Sequence, residues 1–215
     1  MNIHFSLVSS LLAASGLYAA AADSEIKLPA PDKTGGKPLM QALQARQSTR
    51  EFKEQAIPME MLSSLLWAAQ GVNRDDPEYR TAPSSRNSNE IELYVVLPEA
   101  TYLYQPETHQ LQRIVQGDLR AATGTQDFVG KVPLNLVYVA DQSKQPGDFD
   151  AARKATTACA DAGFIGQNVY LFCASSGLGT VFRAMLDADQ LQKLLKLPVF
   201  KKVLYAQSIG YPAAS

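Results

Sequence analysis

Three short segments, far apart in the chain, carry side chains suited to an anionic, flat ligand: Arg46-Gln47-Ser48-Thr49-Arg50, Ala82-Pro83-Ser84-Ser85-Arg86-Asn87 and Gly177-Leu178-Gly179-Thr180. The first offers two guanidinium groups and a hydroxyl, donors that match a phosphate and an electron-rich ring edge. In an extended stretch residues two apart share a face, so Arg46, Ser48 and Arg50 are expected to point the same way. Two converging guanidiniums repel unless an anion lies between them. The second segment is a proline-primed turn that brings the side chains of Ser84, Ser85 and Asn87 within reach of a polar ligand. In the third, Gly177 and Gly179 flank Leu178 and let the backbone approach a flat ring closely.

The rest of the chain supplies little covalent chemistry. Its histidines are His4 and His109, too few for a His-based triad beside a multi-histidine metal site. No glycine-rich dinucleotide fingerprint or phosphate loop follows a strand. Asp75 and Asp76 lie in a polar loop without apolar walls to shift a pKa. If the protein is an enzyme, a cofactor is expected to carry the hard step.

The 215 residues have a formal net charge of −1, and the lysines and arginines are scattered. Without a basic stripe, nucleic acid is not an expected partner. From Ile3 to Ala22 there is no Asp, Glu, Lys or Arg, and Leu7 to Leu17 is apolar or small. Tyr18-Ala19-Ala20-Ala21-Ala22 follows, and the chain turns polar at Asp23. This pattern reads as a secretory signal peptide over residues 1–22, cleaved near Ala22. An uncleaved anchor is the rival reading, for which the segment is short. The expected location is periplasmic or secreted, with no membrane association after cleavage. Residues 23–37, with Pro29, Pro31, Gly35, Gly36 and several charges, read as a flexible arm outside the core. Residues 38–215 then form one domain.

The elements that must position the three segments follow from periodicity. Leu39, Met40 and Leu43 sit at helical spacing and lead into the first segment. Pro58 opens a second helix whose apolar face is Met61, Leu62, Leu65, Leu66 and Ala69, with Gly71 as its stop and Trp67 beside that face as a core or interface residue. Ile91 to Leu97 alternates as a strand. Tyr102 to Tyr104 and Leu111 to Val115 flank Pro106-Glu107-Thr108-His109, a hairpin whose His109 is expected to be solvated. Asp118 to Ala122 makes a helical turn, and Leu134 to Ala140 a central strand. Ala151 to Ser175 is a long helix, apolar on several sides and so expected to be buried. Cys159 and Cys173 lie on it about 21 Å apart, too far for a disulfide, and read as two buried apolar residues. Gly177 ends this helix. Asp187 caps the next, with Gln190 three residues on and Leu191, Leu194 and Leu195 inward. Val203 to Ile209 is the last strand. Hairpins and a terminal strand mixed with helices define an α+β protein, with a mixed, mainly antiparallel sheet flanked by helices and a long buried central helix.

In this order and at these spacings, the segments resemble those of the nitroreductase family: R-x-S-x-R, then P-S-x-x-N before a strand, Gly-Leu-Gly after a long helix, and a closing strand leading to Gly210-Tyr211-Pro212. The resemblance spans about Met40 to Pro212. Arg80 to Ser84, Ile91 to Tyr94 and Tyr102 to Tyr104 are most similar to the branch containing SagB-type oxazoline/thiazoline dehydrogenases. The resemblance implies a nitroreductase-like fold and bound FMN. Arg46 and Ser48, with Gln47 in the same segment, would hold the phosphate and ribityl end. Arg50 would be the catalytic residue, a fixed charge at the pyrimidine edge of the flavin that raises its reduction potential. Pro83, Ser84, Ser85 and Asn87 would come from the partner subunit of a homodimer with FMN at its interface. Gly177, Leu178 and Gly179 would run beside the ring. Hydride would pass to or from a small organic substrate with ping-pong kinetics.

Two departures from the family pattern stand out. Many relatives carry a basic phosphate contact shortly after Gly-x-Pro, where Ala213-Ala214-Ser215 stand here. Arg183 is the candidate replacement, against a solvated arginine. Many also continue P-S-x-x-N with Ser-Gln-Pro-Trp, where Ser88-Asn89-Glu90-Ile91 stand here. The alternatives are an azoline-type dehydrogenase acting on a modified peptide, and a flavin-binding scaffold without turnover. Export also sets a constraint: nicotinamides are kept in the cytoplasm, so an exported enzyme needs another donor, or runs as an oxidase or dehydrogenase.

Overall fold

The computed structural model describes residues 25–213. The signal-peptide reading of residues 1–22 lies outside them. Seven strands form one sheet: β1 (Glu25–Lys27), β2 (Ile91–Val96), β3 (Ala100–Gln105), β4 (Gln110–Gln116), β5 (Leu134–Asp141), β6 (Gly179–Arg183) and β7 (Lys201–Gly210). Their order is β1-β4-β3-β2-β5-β7-β6, and every pair is antiparallel. Four α-helices complete the fold: α1 (Leu39–Ala45), α2 (Met59–Gln70), α3 (Ala151–Ser176) and α4 (Ala188–Leu194). The architecture is the α+β arrangement expected from the sequence.

The sheet separates two cores, and the period-2 alternation of its central strand decides which residue enters which. On β5, Leu134, Leu136, Tyr138 and Ala140 enter the larger core with Leu62, Leu65, Leu66 and Ala69 of α2 and Ala158, Ala162, Ile165 and Val169 of α3. Val137 and Val139 point the other way and pack with Leu191 and Leu195 against α4. With both faces covered, β5 is buried along its whole length.

Helix ends follow local chemistry. Asp150 accepts from the Arg153 N–H at the start of α3, at 2.7 Å, and Asp187 accepts from the Gln190 N–H at the start of α4, at 2.9 Å, which satisfies one orphan donor at each end. Gly177 ends α3 in the left-handed region, φ 75°, where a glycine carries no steric penalty.

The structure corrects several sequence expectations. Residues 25–27 are not a free arm: they pair with β4, and Leu28 beside them is only 5% exposed within the larger core. A three-residue edge strand is fixed by its partner rather than by its own pattern. His109 is not a solvated turn residue. Its backbone is left-handed (φ 52°) and its ring bridges the Tyr104 hydroxyl (2.9 Å) and Ser63 Oγ (2.7 Å). Ser63 donates its own proton to the Pro29 carbonyl, so Nε2 carries the hydrogen toward Ser63 and Nδ1 accepts from Tyr104. Burial holds the ring below its ordinary pKa, and it ties the arm to the hairpin as a neutral group. Cys159 is exposed, whereas Cys173 is buried. The apolar side chains of α1 face outward: Leu39, Met40 and Leu43 are 62%, 74% and 42% exposed, and Ala42 is the buried residue of that helix. Phe164 on α3 is also exposed. Finally, β6 has no counterpart in the sequence reading, because its five residues begin at a glycine and carry too little alternation to register.

Leu28→Ala is expected to destabilise the fold by about 2–4 kcal/mol, as for a buried leucine that leaves a cavity. Chemical denaturation of the two proteins measures the difference. A change near zero would return residues 25–37 to the status of a free arm.

Candidate functional site

The first and third segments meet at the outer edge of the sheet. Arg46 closes α1, and the chain leaves the helix in an extended conformation. Ser48 then pairs with Thr180 in a parallel bridge, and the Thr49 N–H donates to the Thr180 carbonyl at 2.9 Å. Gly179 makes this approach possible: a Cβ there would lie 2.8 Å from Thr49 Cβ and Cγ2. The space beside Gly179 is therefore filled by Thr49 of the same chain, Gly177 is exposed, and Leu178 is buried in the core.

Tyr170 of α3 organises the near end of this edge. The Arg46 guanidinium lies 5.4 Å from the centre of its ring, and Ser48 Oγ lies 2.8 Å from its hydroxyl. The Phe182 N–H donates to the same hydroxyl at 3.0 Å. Gln47 and Arg50 are exposed. Among the described residues neither Arg46 nor Arg50 has a carboxylate partner. Two unpaired guanidiniums and a hydroxyl on one extended segment form a donor set for an anion. Sequence reasoning missed Tyr170. Its only trace was a hydroxyl-tipped residue four and eight positions beyond Gly166 and Ala162, on the helix face that meets the sheet.

The second segment takes its shape from a set of local bonds. Arg86, Asn87 and Asn89 are all left-handed, at φ 52°, 56° and 47°. Ser84 Oγ accepts from the Asn89 N–H at 3.0 Å, and the Ser85 N–H donates to Asp161 Oδ2 at 2.8 Å. Ser88 Oγ donates to Glu90 Oε2 at 2.7 Å. Glu90 is fully buried and its second oxygen has no donor. Asp161, 3% exposed, faces it. Burial pushes the Asp161 carboxyl up to about 6; the Ser85 N–H opposes this and the neighbouring Glu90 adds to it. Pro83 is exposed, and Ser84, Ser85 and Asn87 are half-buried. Asp161 and Tyr170 stand nine residues apart on α3, about 14 Å at the helical rise. Within one chain, the second segment therefore does not join the first and third.

Arg183 fits neither sequence expectation for it. It is 5% exposed, and its guanidinium donates to the Thr123 carbonyl (3.1 Å), Gln126 Oε1 (3.2 Å) and Asn135 Oδ1 (3.1 Å). Burial without a carboxylate lowers its pKa to about 10. It cross-links β6, β5 and the loop before β5, and is not free to contact a phosphate beside Ser48. Trp67 is half-buried, donates to the Val72 carbonyl at 2.9 Å and lies under the Lys33 ammonium.

A sequence profile described as the nitroreductase family matches residues 43–211. A protein from Methanocaldococcus jannaschii assigned as a nitroreductase is 30% identical over 190 residues, covering 84% of this chain and 93% of that one. The chain belongs to the nitroreductase family. A crystal structure from Ralstonia eutropha JMP134, also assigned as a nitroreductase, is 42% identical with a TM-score of 0.84, covering 91% of this chain and 92% of that one. The fold is shared more distantly with a chain of the Escherichia coli microcin synthetase McbBCD complex (17% identity, TM-score 0.70, 97% and 85% covered). It is shared also with the Vibrio harveyi NADPH:FMN oxidoreductase complexed with NAD+ (22% identity, TM-score 0.61, 82% and 69% covered).

The Asp161–Glu90 pair makes a stability prediction of definite sign. A carboxyl whose folded pKa is raised contributes stability below its unfolded value, near 4, and that contribution is lost as pH rises through about 6. Wild-type protein is expected to lose melting temperature across pH 4 to 7 relative to Asp161→Asn, whose amide cannot ionise. Parallel melting curves over that range would show that the Asp161 pKa is not raised in the folded protein.

Proposed function

We propose that the protein is an FMN-dependent oxidoreductase that moves hydride to or from a small organic substrate. The observation that carries this reading is the unpaired Arg46 and Arg50, with Ser48, on one segment docked beside β6. That donor set fits FMN: Arg46, Gln47 and Ser48 would hold the phosphate and ribityl end, and Arg50 the ring edge. Bound FMN supplies the hydride chemistry, with two reactants taken in turn. The protein's own contribution is binding and electrostatics, because a fixed charge at the ring edge costs no reorganisation during the reaction. The flavin-dependent relative from Vibrio harveyi supports this reading.

A homodimer completes the site in this proposal. Leu39, Met40 and Leu43 on α1 and Phe164 on α3 present exposed apolar side chains that a partner subunit would cover. The second segment, about 14 Å along α3 from Tyr170, would then serve the partner's flavin with Pro83, Ser84, Ser85 and Asn87. The signal-peptide reading of residues 1–22 places the enzyme outside the cytoplasm, and so favours a reductant other than NAD(P)H. An azoline-type dehydrogenase acting on a modified peptide is the second reading; it rests on the resemblance of Arg80 to Ser84, Ile91 to Tyr94 and Tyr102 to Tyr104 to that branch.

Purified protein is expected to show a flavin spectrum with about one FMN per chain, released and identified after denaturation. Protein that stays colourless after soaking in FMN would leave a family scaffold with another task. Arg50→Ala is expected to lower both the flavin affinity and its reduction potential, measured by equilibration with a reference dye. An unchanged potential with bound flavin would remove Arg50 from the ring edge. NAD(P)H oxidation is expected to be slow, and rapid NAD(P)H-dependent nitro reduction would count against export.

A further inference from the structure

We infer that Tyr170 is a positioning residue which aims the Ser48 hydroxyl, and with it the Arg46 guanidinium, at the phosphate of the bound nucleotide. This rests on the FMN reading above and adds a residue to it. The Tyr170 hydroxyl has one proton and two lone pairs. The Phe182 N–H, an edge donor of β6 that the 48–49 segment does not reach, takes one lone pair at 3.0 Å. Ser48 Oγ lies 2.8 Å away, close enough for either oxygen to be the donor. When Ser48 donates to an anion, its own proton is committed outward. The Tyr170 proton must then point at Ser48 Oγ. The donors line up in one direction: Phe182 N–H to Tyr170, Tyr170 O–H to Ser48, Ser48 O–H to the phosphate. Each bond polarises the next, so the last donor is stronger than an isolated serine.

The ring contributes separately. Arg46 lies 5.4 Å from its centre, within the range where a guanidinium is held over an aromatic face. This keeps the charge beside Ser48 although no carboxylate holds it. Tyr170 is itself fixed: neighbouring Val169 is fully buried, and Gly166 one turn earlier leaves room for the Phe182 ring, which a Cβ would meet at 2.7 Å.

The test compares two ligands that differ only in the phosphate. Tyr170→Phe keeps the ring under Arg46 and removes the hydroxyl. It is expected to weaken FMN binding about five- to tenfold, the size of one neutral hydrogen bond, and to leave riboflavin binding unchanged. Ser48→Ala removes the bond to the phosphate itself and should lose at least as much, and the double variant should lose no more than Ser48→Ala alone. A purely structural role would weaken both ligands together. Wild-type protein that prefers FMN, with an FMN-to-riboflavin preference unaltered in Tyr170→Phe, overturns the role of Tyr170 and leaves the flavin reading intact. Wild-type protein that binds neither ligand overturns both. Should Tyr170→Phe fail to fold, 3-fluorotyrosine at position 170 keeps the shape and strengthens the donor. The preference for FMN should then rise, and an unchanged preference overturns the inference.

Discussion

The seating of α3 on the sheet is the constraint from which the rest of the molecule takes its positions. The helix meets the strands through small residues, Ala158, Ala162 and Gly166, followed by Val169 and Cys173. Gly166 admits the Phe182 ring of β6, which itself meets Tyr138 edge-on and Tyr205 at a tilt. A larger side chain there would lift the helix from the edge of the sheet. Because the helix is rigid, fixing it at this point fixes everything it carries. Asp161 receives the second segment, Tyr170 receives the first, and Gly177 turns the chain directly into β6.

Charge is distributed in two different ways around this frame. Inside, Arg183 lies without a carboxylate partner and is sustained by carbonyl and amide oxygens, at the cost of a lowered pKa. Asp161 meets the same low-dielectric problem with a raised pKa, which favours its neutral form. At the edge of β6, Arg46 is half-buried and Arg50 exposed, and among the described residues neither has a carboxylate partner. Two cations left without a protein carboxylate at that edge support the proposal that the counter-charge belongs to a ligand.

Much of the frame was legible along the chain because its signals are local. Pro58 and Gly71 bound α2, Gly177 ends α3, and Asp187 with Gln190 starts α4 through a contact three residues apart. β2 shows as an alternating strand, and the continuous apolar run of β5 reflects burial on both faces. Where the reading failed, the deciding contact was distant. β1 exists because β4 offers it an edge, and His109 is held half-buried because Ser63 and Tyr104 satisfy both ring nitrogens. Leu39, Met40 and Leu43 gave a correct helix but no indication of which way its apolar side faces, since periodicity identifies a face and not its neighbour.

The sequence by itself determined the family, the fold class, and the residue types of a donor set on Arg46, Ser48 and Arg50, because motif order and local propensity are properties of the chain alone. Only the tertiary structure decided that Thr49 docks on Thr180, that Gly179 is small in order to admit Thr49, and that Tyr170 stands behind Ser48. It also decided that Arg183 is locked inside, out of reach of any phosphate at that edge. Those pairings join residues more than a hundred positions apart. Local preference cannot encode such contacts; they follow from where the packing of α3 brings two strand edges together.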